Sequence, residues 1–225
     1  LKSESLSIDG KEVIFFDFLT RDGFTLLEGS DTLNASIRNE SPISRVKYVN
    51  SNSIRSDNIQ NQVFKKFIDF VERMLLFYSP DSRGYEGFMN GSESIAEGIV
   101  NSGKVKDFQE FLKENNIDYE LYGCEVDGRK AIYCHFDNKD ADFFKIASTG
   151  TRSLALFYYW YIRMEKASFV FIDEFDAFYH YELSESVQKR LRRISDVQVL
   201  TTTHHTDHMS NDLLRPDCYF LLENN

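Results

Sequence analysis

The chain of 225 residues suits one domain or one and a half, and its 42% hydrophobic and 15% aromatic content supports a sizeable core and excludes wholesale disorder. A net charge of −10 argues against a mainly electrostatic nucleic-acid binder, since such domains are usually basic. No apolar run approaches the roughly 18–20 residues of a membrane helix, no signal segment follows Leu1, and the odd set Cys124, Cys134 and Cys218 lacks CxxC spacing, so the expectation is an internal segment of a cytoplasmic protein with reduced thiols.

Residues 1–29 read as an antiparallel β-meander. Lys11 to Leu19 and Phe24 to Glu28 are strand-like, and Asp9-Gly10 and Asp22-Gly23 supply turns. Residues 30–60 are polar and without period, as a variable loop would be. From Gln62 to Tyr78, apolar residues at Val63, Phe64, Phe67, Ile68, Val71 and Leu75 follow the helical i, i+3/i+4 pattern, and Ser79-Pro80-Asp81 closes the helix.

Gly98 to Lys104 fits GxxxxGK, the spacing of a phosphate-cradling loop, but Val105 stands where the motif needs Ser or Thr. The preceding Ser92 to Glu97 is polar and helix-like rather than a buried strand. The match reads as chance, with Ser102 as the N-cap of a helix over 103–115. Ile117 to Asp137 is a hairpin turning at Asp127-Gly128.

The second half alternates strand and helix, which argues for a parallel sheet. A small-residue turn (Lys145 to Arg152) opens an aromatic-rich buried helix, Ser153 to Lys166. A strand buried on both faces follows, Phe169-Val170-Phe171-Ile172, ending in Asp173-Glu174. A turn over 175–181, a helix from Leu183 to Ile194, a strand over 197–202, a short helix over 207–214 and a strand over 219–222 complete the chain. Lys189 to Arg193 is the one dense basic run and reads as a solvated helix face, with a binding patch as the alternative. Acids at the carboxyl end of a parallel strand sit where open α/β sheets bind ligands. A hydrophobic strand running into Asp-Glu is the Walker B pattern of nucleotide hydrolases, in which the Asp holds Mg²⁺ and the Glu orients or deprotonates the attacking water.

Four features in order carry a resemblance: the turn Ser148-Thr149-Gly150-Thr151, the stretch Asp173 to His180, the triplet Thr203-His204-His205, and Leu214-Arg215-Pro216-Asp217. Over roughly residues 145–223 the chain resembles the carboxyl-terminal half of an ABC-type ATPase head, most closely the OLD-like (overcoming lysogenization defect) branch of nucleases and anti-phage ATPases. The resemblance implies an α/β P-loop NTPase with a β-meander first and a mostly parallel sheet in the second half. It implies ATP and Mg²⁺ as cofactors. Asp173 would hold the metal, Glu174 would position water, and His204 would contact the γ-phosphate as the switch histidine. Ser148, Thr149, Gly150 and Thr151 would form the signature that acts on a partner's nucleotide, with Asp176 and His180 at the dimer seam. Arg152 would be a dimer or nucleotide contact, or merely solvated.

The expected organisation is a meander and loop over 1–60, a helical arm over 61–116 that reads a partner or DNA, and the ATPase core over 117–225. Homodimerisation through the nucleotide, an effector nuclease or DNA as partner, and no membrane are further expectations. The family's Walker A loop precedes such a meander and is expected to lie outside this chain. Two alternatives stay open. One is a degenerate head acting as a scaffold. The other is a metal-dependent nuclease using Asp173, Glu174 and a cluster of His204, His205, Asp207 and His208.

Overall fold

Asp9 and Gly10, at φ of 51° and 75°, and Asp127 and Gly128, at 51° and 74°, place two consecutive residues in the left-handed region. That is the two-residue hairpin geometry for which Asp-Gly is suited. A computed structural model describes residues 2–28, 46, 58–78, 84–87, 93–137, 139–177 and 181–222. The chain separates into two compact units, Leu1–Glu72 and Arg73–Asn225.

In the first unit, β1 (Ser3–Ile8), β2 (Lys11–Asp17) and β3 (Asp22–Thr25) form the expected antiparallel meander. Asp22-Gly23 is not its second turn. Both residues lie in β3, paired with Asp17 and Phe16, and the chain reverses over 18–21 instead. The Asp17 carboxylate holds that reversal by accepting from Leu19 N (2.7 Å) and Thr20 N (3.0 Å). Helix α1 (Ile59–Glu72) supplies Phe64 and Ile68 to a core with Val13, Ile14, Phe16 and Leu27.

The helix expected to reach Tyr78 stops at Glu72. Met74–Tyr78 is strand β4 and Gly84–Gly87 is strand β5. An apolar run such as Met74-Leu75-Leu76-Phe77 satisfies a 3.6 period and a 2.0 period alike. Burial of Leu75 and Phe77, both 0% exposed, shows that the period of 2 is the one used. In the second unit β4 pairs in parallel with β9 (Phe169–Asp173), and β9 with β10 (Gln198–Thr201), while β5 runs antiparallel to β4. The sheet order is β10-β9-β4-β5, mostly parallel as expected, but β4 and β5 come from the first half of the chain, whereas the sheet was expected in the second. On β9, Val170 and Ile172 are buried, while Phe169 and Phe171 are half-buried, so one face rather than both is sealed.

Helices α2 (Ile95–Asn101) and α3 (Val105–Glu114) occupy the region of the GxxxxGK match. A capping box opens α2: Ser94 Oγ accepts from Glu97 N, and the Glu97 carboxylate accepts from Ser94 N. Gly98 to Asn101 are therefore helical and form no phosphate loop. Ser102 ends α2, its hydroxyl donating to Ile99 O at 2.7 Å, so it is not the N-cap of α3. That cap is Lys104, which makes no side-chain capping bond. A second antiparallel sheet follows, β6 (Glu120–Val126), β7 (Arg129–Phe136) and β8 (Lys139–Asp142), and α2 and α3 pack against it.

After the short α4 (Phe143–Ile146), α5 (Thr149–Met164) runs through the main core with Leu154, Ala155, Phe157, Tyr158 and Met164 buried. Helix α6 (Tyr181–Leu191) precedes β10. The helix expected over 207–214 is only a 3-10 turn, Thr206–His208, with turns after it. Tyr219 to Leu222 form no strand, and Phe220 and Leu222 are 79% and 94% exposed. Among the described residues no helix is long and apolar enough to cross a membrane.

Candidate functional site

The parallel register brings the end of β9 beside the end of β10, with Ile172 opposite Thr201. Two acids and two threonines thereby emerge side by side. Thr202 Oγ1 donates to Asp173 Oδ1 at 2.7 Å and accepts from Glu174 N at 2.8 Å. Glu174 Oε1 lies 3.1 Å from His204 Nε2, on a histidine whose side chain is 86% exposed. Glu174 also has φ of +44°, a left-handed backbone at a residue with a side chain. Such a conformation costs on the order of 1 kcal/mol and persists where its surroundings hold it.

Behind these residues lies a buried polar set. Asp176 accepts from Thr203 Oγ1 at 2.5 Å and lies 3.3 Å from His208 Nε2, which is also 3.1 Å from Ser184 Oγ on α6. Asp176, His208 and Ser184 are all buried. Asp176 thus spans the loop that carries His204, holding Thr203 on one side and His208 on the other.

Ser148 is the N-cap of α5: its hydroxyl accepts from Thr151 N at 3.1 Å and bonds Thr151 Oγ1 at 2.8 Å. Thr149 and Gly150 form the first helical turn, so the helix starts four residues earlier than the apolar pattern predicts. Arg152 donates its Nε to Ala147 O at 2.9 Å, which ends the preceding α4. The Trp160 ring sits 4.8 Å from that of Phe77, whose partner on β9 is Ile172.

His204, His205 and His208 do not converge. His204 turns to Glu174 and His208 turns inward to Ser184 and Asp176, with the His205 ring 6.2 Å from that of His208. Among the described residues no group of three or more His, Cys, Asp and Glu could hold a metal ion. This removes the histidine cluster on which the nuclease alternative depended. His180 lies outside the described residues.

Of the basic run, Lys189, Arg192 and Arg193 are exposed, as a solvated face would be, and Arg190 is the exception. Arg190 is 7% exposed, donates to Asp107 at 2.5 Å, and lies 4.9 Å above the Tyr161 ring. Lys189 pairs with Glu185, Arg193 with Glu114, and Arg192 donates to Asp212 O. Pattern alone gave no sign that Arg190 would be inside, nor that Thr202, one polar residue in a threonine triplet, would hold two acids at once.

A divalent cation that prefers oxygen and keeps part of its water shell needs one or two carboxylates and phosphate oxygens rather than a full protein cage. Asp173 suits that role: Thr202 engages one of its oxygens, and no described residue donates to the other. A family model described as "AAA domain, putative AbiEii toxin, Type IV TA system" matches residues 47–208. No curated protein matches the sequence.

Proposed function

The chain belongs to this AAA-domain family, and from that premise we propose that it is the ATP-hydrolysing core of an OLD-like head of the P-loop type. Asp173 would hold Mg²⁺, which when bound neutralises phosphate charge and orients the terminal phosphoryl group. Glu174 would align the attacking water and accept its proton. His204, exposed and 3.1 Å from Glu174, would contact the γ-phosphate and orient that carboxylate. The observation that carries this reading is the Asp173–Glu174 pair at the end of a central parallel strand, with Glu174 strained and facing His204.

The signature role of Ser148 to Thr151 draws support from their position at the start of a 16-residue helix, where backbone N–H groups and the helix dipole favour phosphate. In a head-to-tail homodimer they would meet the nucleotide of the second copy. The order of motifs favours the OLD-like branch, and with it a role in phage defence or DNA repair. The family description adds toxin–antitoxin function as the neighbouring possibility for what the ATPase drives. An effector nuclease or DNA would then read the nucleotide state.

The test is Glu174→Gln in the full-length protein. Turnover should fall by about a hundredfold or more while Mg-ATP still binds. Wild-type turnover by this variant would remove the role given to Glu174 and the ATPase mechanism with it.

A further inference from the structure

We propose that Thr202 is a positioning residue of this site, setting the geometry of both strand-end carboxylates without itself touching nucleotide. Its consequence for turnover rests on the ATPase reading above; its hydrogen bonds do not.

Glu174 needs a constraint, because its backbone sits at φ +44° in a region that a residue with a Cβ avoids. Thr202 supplies it from the neighbouring strand end. The hydroxyl accepts from Glu174 N at 2.8 Å and donates to Asp173 Oδ1 at 2.7 Å. The backbone of the same residue holds the flanking positions: Thr202 N donates to Ile172 O at 3.0 Å, and Thr202 O accepts from Phe175 N at 3.1 Å. Four consecutive residues, 172 to 175, are thus bonded to one.

A hydroxyl has a single proton and two lone pairs. Spending the proton on the Asp173 carboxylate leaves a lone pair for the Glu174 amide, so one O–H orientation satisfies both bonds. Asp173 is thereby presented with one oxygen taken and the other available. Glu174 is turned so that its carboxylate meets His204. Serine can reproduce both bonds. Valine, nearly isosteric with threonine, can reproduce neither.

Amide hydrogen exchange on the unliganded full-length protein reads the first bond directly. The Glu174 amide should exchange slowly in the wild type and in Thr202→Ser, and about tenfold faster or more in Thr202→Val. Equal rates in wild type and Thr202→Val, or a Glu174 amide that exchanges freely in the wild type, overturn the proposal. Should Thr202→Val not fold, the wild-type and serine measurements decide it alone. In steady-state turnover, Thr202→Val should lower kcat for ATP by about tenfold or more with KM within about twofold, and Thr202→Ser should restore kcat. An unchanged kcat in the valine variant also overturns it. Wild-type turnover by Glu174→Gln would instead sink the ATPase reading, and amide exchange would still decide the role of Thr202.

Discussion

Arg190 and Asp107 form an ion pair at 2.5 Å that joins α6, the helix following the acids, to α3. Tyr158 of α5 donates to the same Asp107 carboxylate, and the Arg190 guanidinium lies over the Tyr161 ring. Three helices therefore meet on one carboxylate. Burial pushes the Asp107 carboxyl up, but the hydrogen bonds from Tyr158 and Arg190 outweigh it and hold the group below its ordinary value. A carboxyl lowered in the folded state stabilises the fold above its unfolded pKa, and that contribution fades as pH falls through the folded value. Asp107→Asn should accordingly be less stable than wild type at neutral pH, and the two should converge below about pH 4, the ordinary carboxylate range. Urea unfolding at a series of pH values checks this; a constant gap across the series would contradict it.

Gly98 faces Tyr159 so closely that an added methyl would stand 2.3 Å from Tyr159 Cε2. Arg163, stacked 3.4 Å from the centre of the same ring and bonded to Tyr159 O, leaves the ring little room to retreat. Gly98→Ala should therefore destabilise the second unit by about 1–3 kcal/mol, although alanine is the better helix former. A denaturation midpoint equal to or above that of wild type would show that the ring moves freely.

Asp176 is buried with its carboxylate committed to Thr203 and His208. Removing it leaves groups that lose a charged partner, at a cost of about 1–3 kcal/mol. Asp176→Ala should show that loss in unfolding experiments and loosen the loop carrying His204, seen as faster amide exchange at His205. Unaltered exchange there would mean the loop is held by other contacts.

On the solvent face of β7 and β8, His135 Nδ1 lies 2.8 Å from Asp140 Oδ1. The hydrogen bond to Asp140 raises the His135 pKa above its ordinary value. The pair's contribution is present below the unfolded pKa of the histidine and is lost as pH rises through its folded value. An NMR titration of His135 should show the raised value in wild type and a fall toward the ordinary range in Asp140→Asn. A titration midpoint that does not move would dismiss the pairing.

Local chemistry made much of the fold legible in the sequence. The Asp-Gly pairs at 9–10 and 127–128 marked hairpins because few residues accept two successive left-handed conformations. Alternation of strand and helix in the second half implied a parallel sheet, and an apolar strand running into Asp173-Glu174 put two acids at the kind of strand end where open α/β sheets bind ligands. Those signals are local, carried by neighbours in the chain.

Other features depended on partners distant in sequence. Met74 to Tyr78 is a strand because β9 lies beside it nearly a hundred residues later, and the apolar run itself permits either period. Ser102 reads as the N-cap of the following helix until α2 is seen to run through Gly98 and to end at Ser102, whose hydroxyl bonds Ile99 O. Arg190 reads as solvated until Asp107 and Tyr161 are brought to it. That two acids stand together at a strand end is thus written in adjacent residues. How they stand there comes from folding, because the bonds that turn Glu174 and fix Asp173 come from Thr202, across a strand pairing that no spacing along the chain encodes.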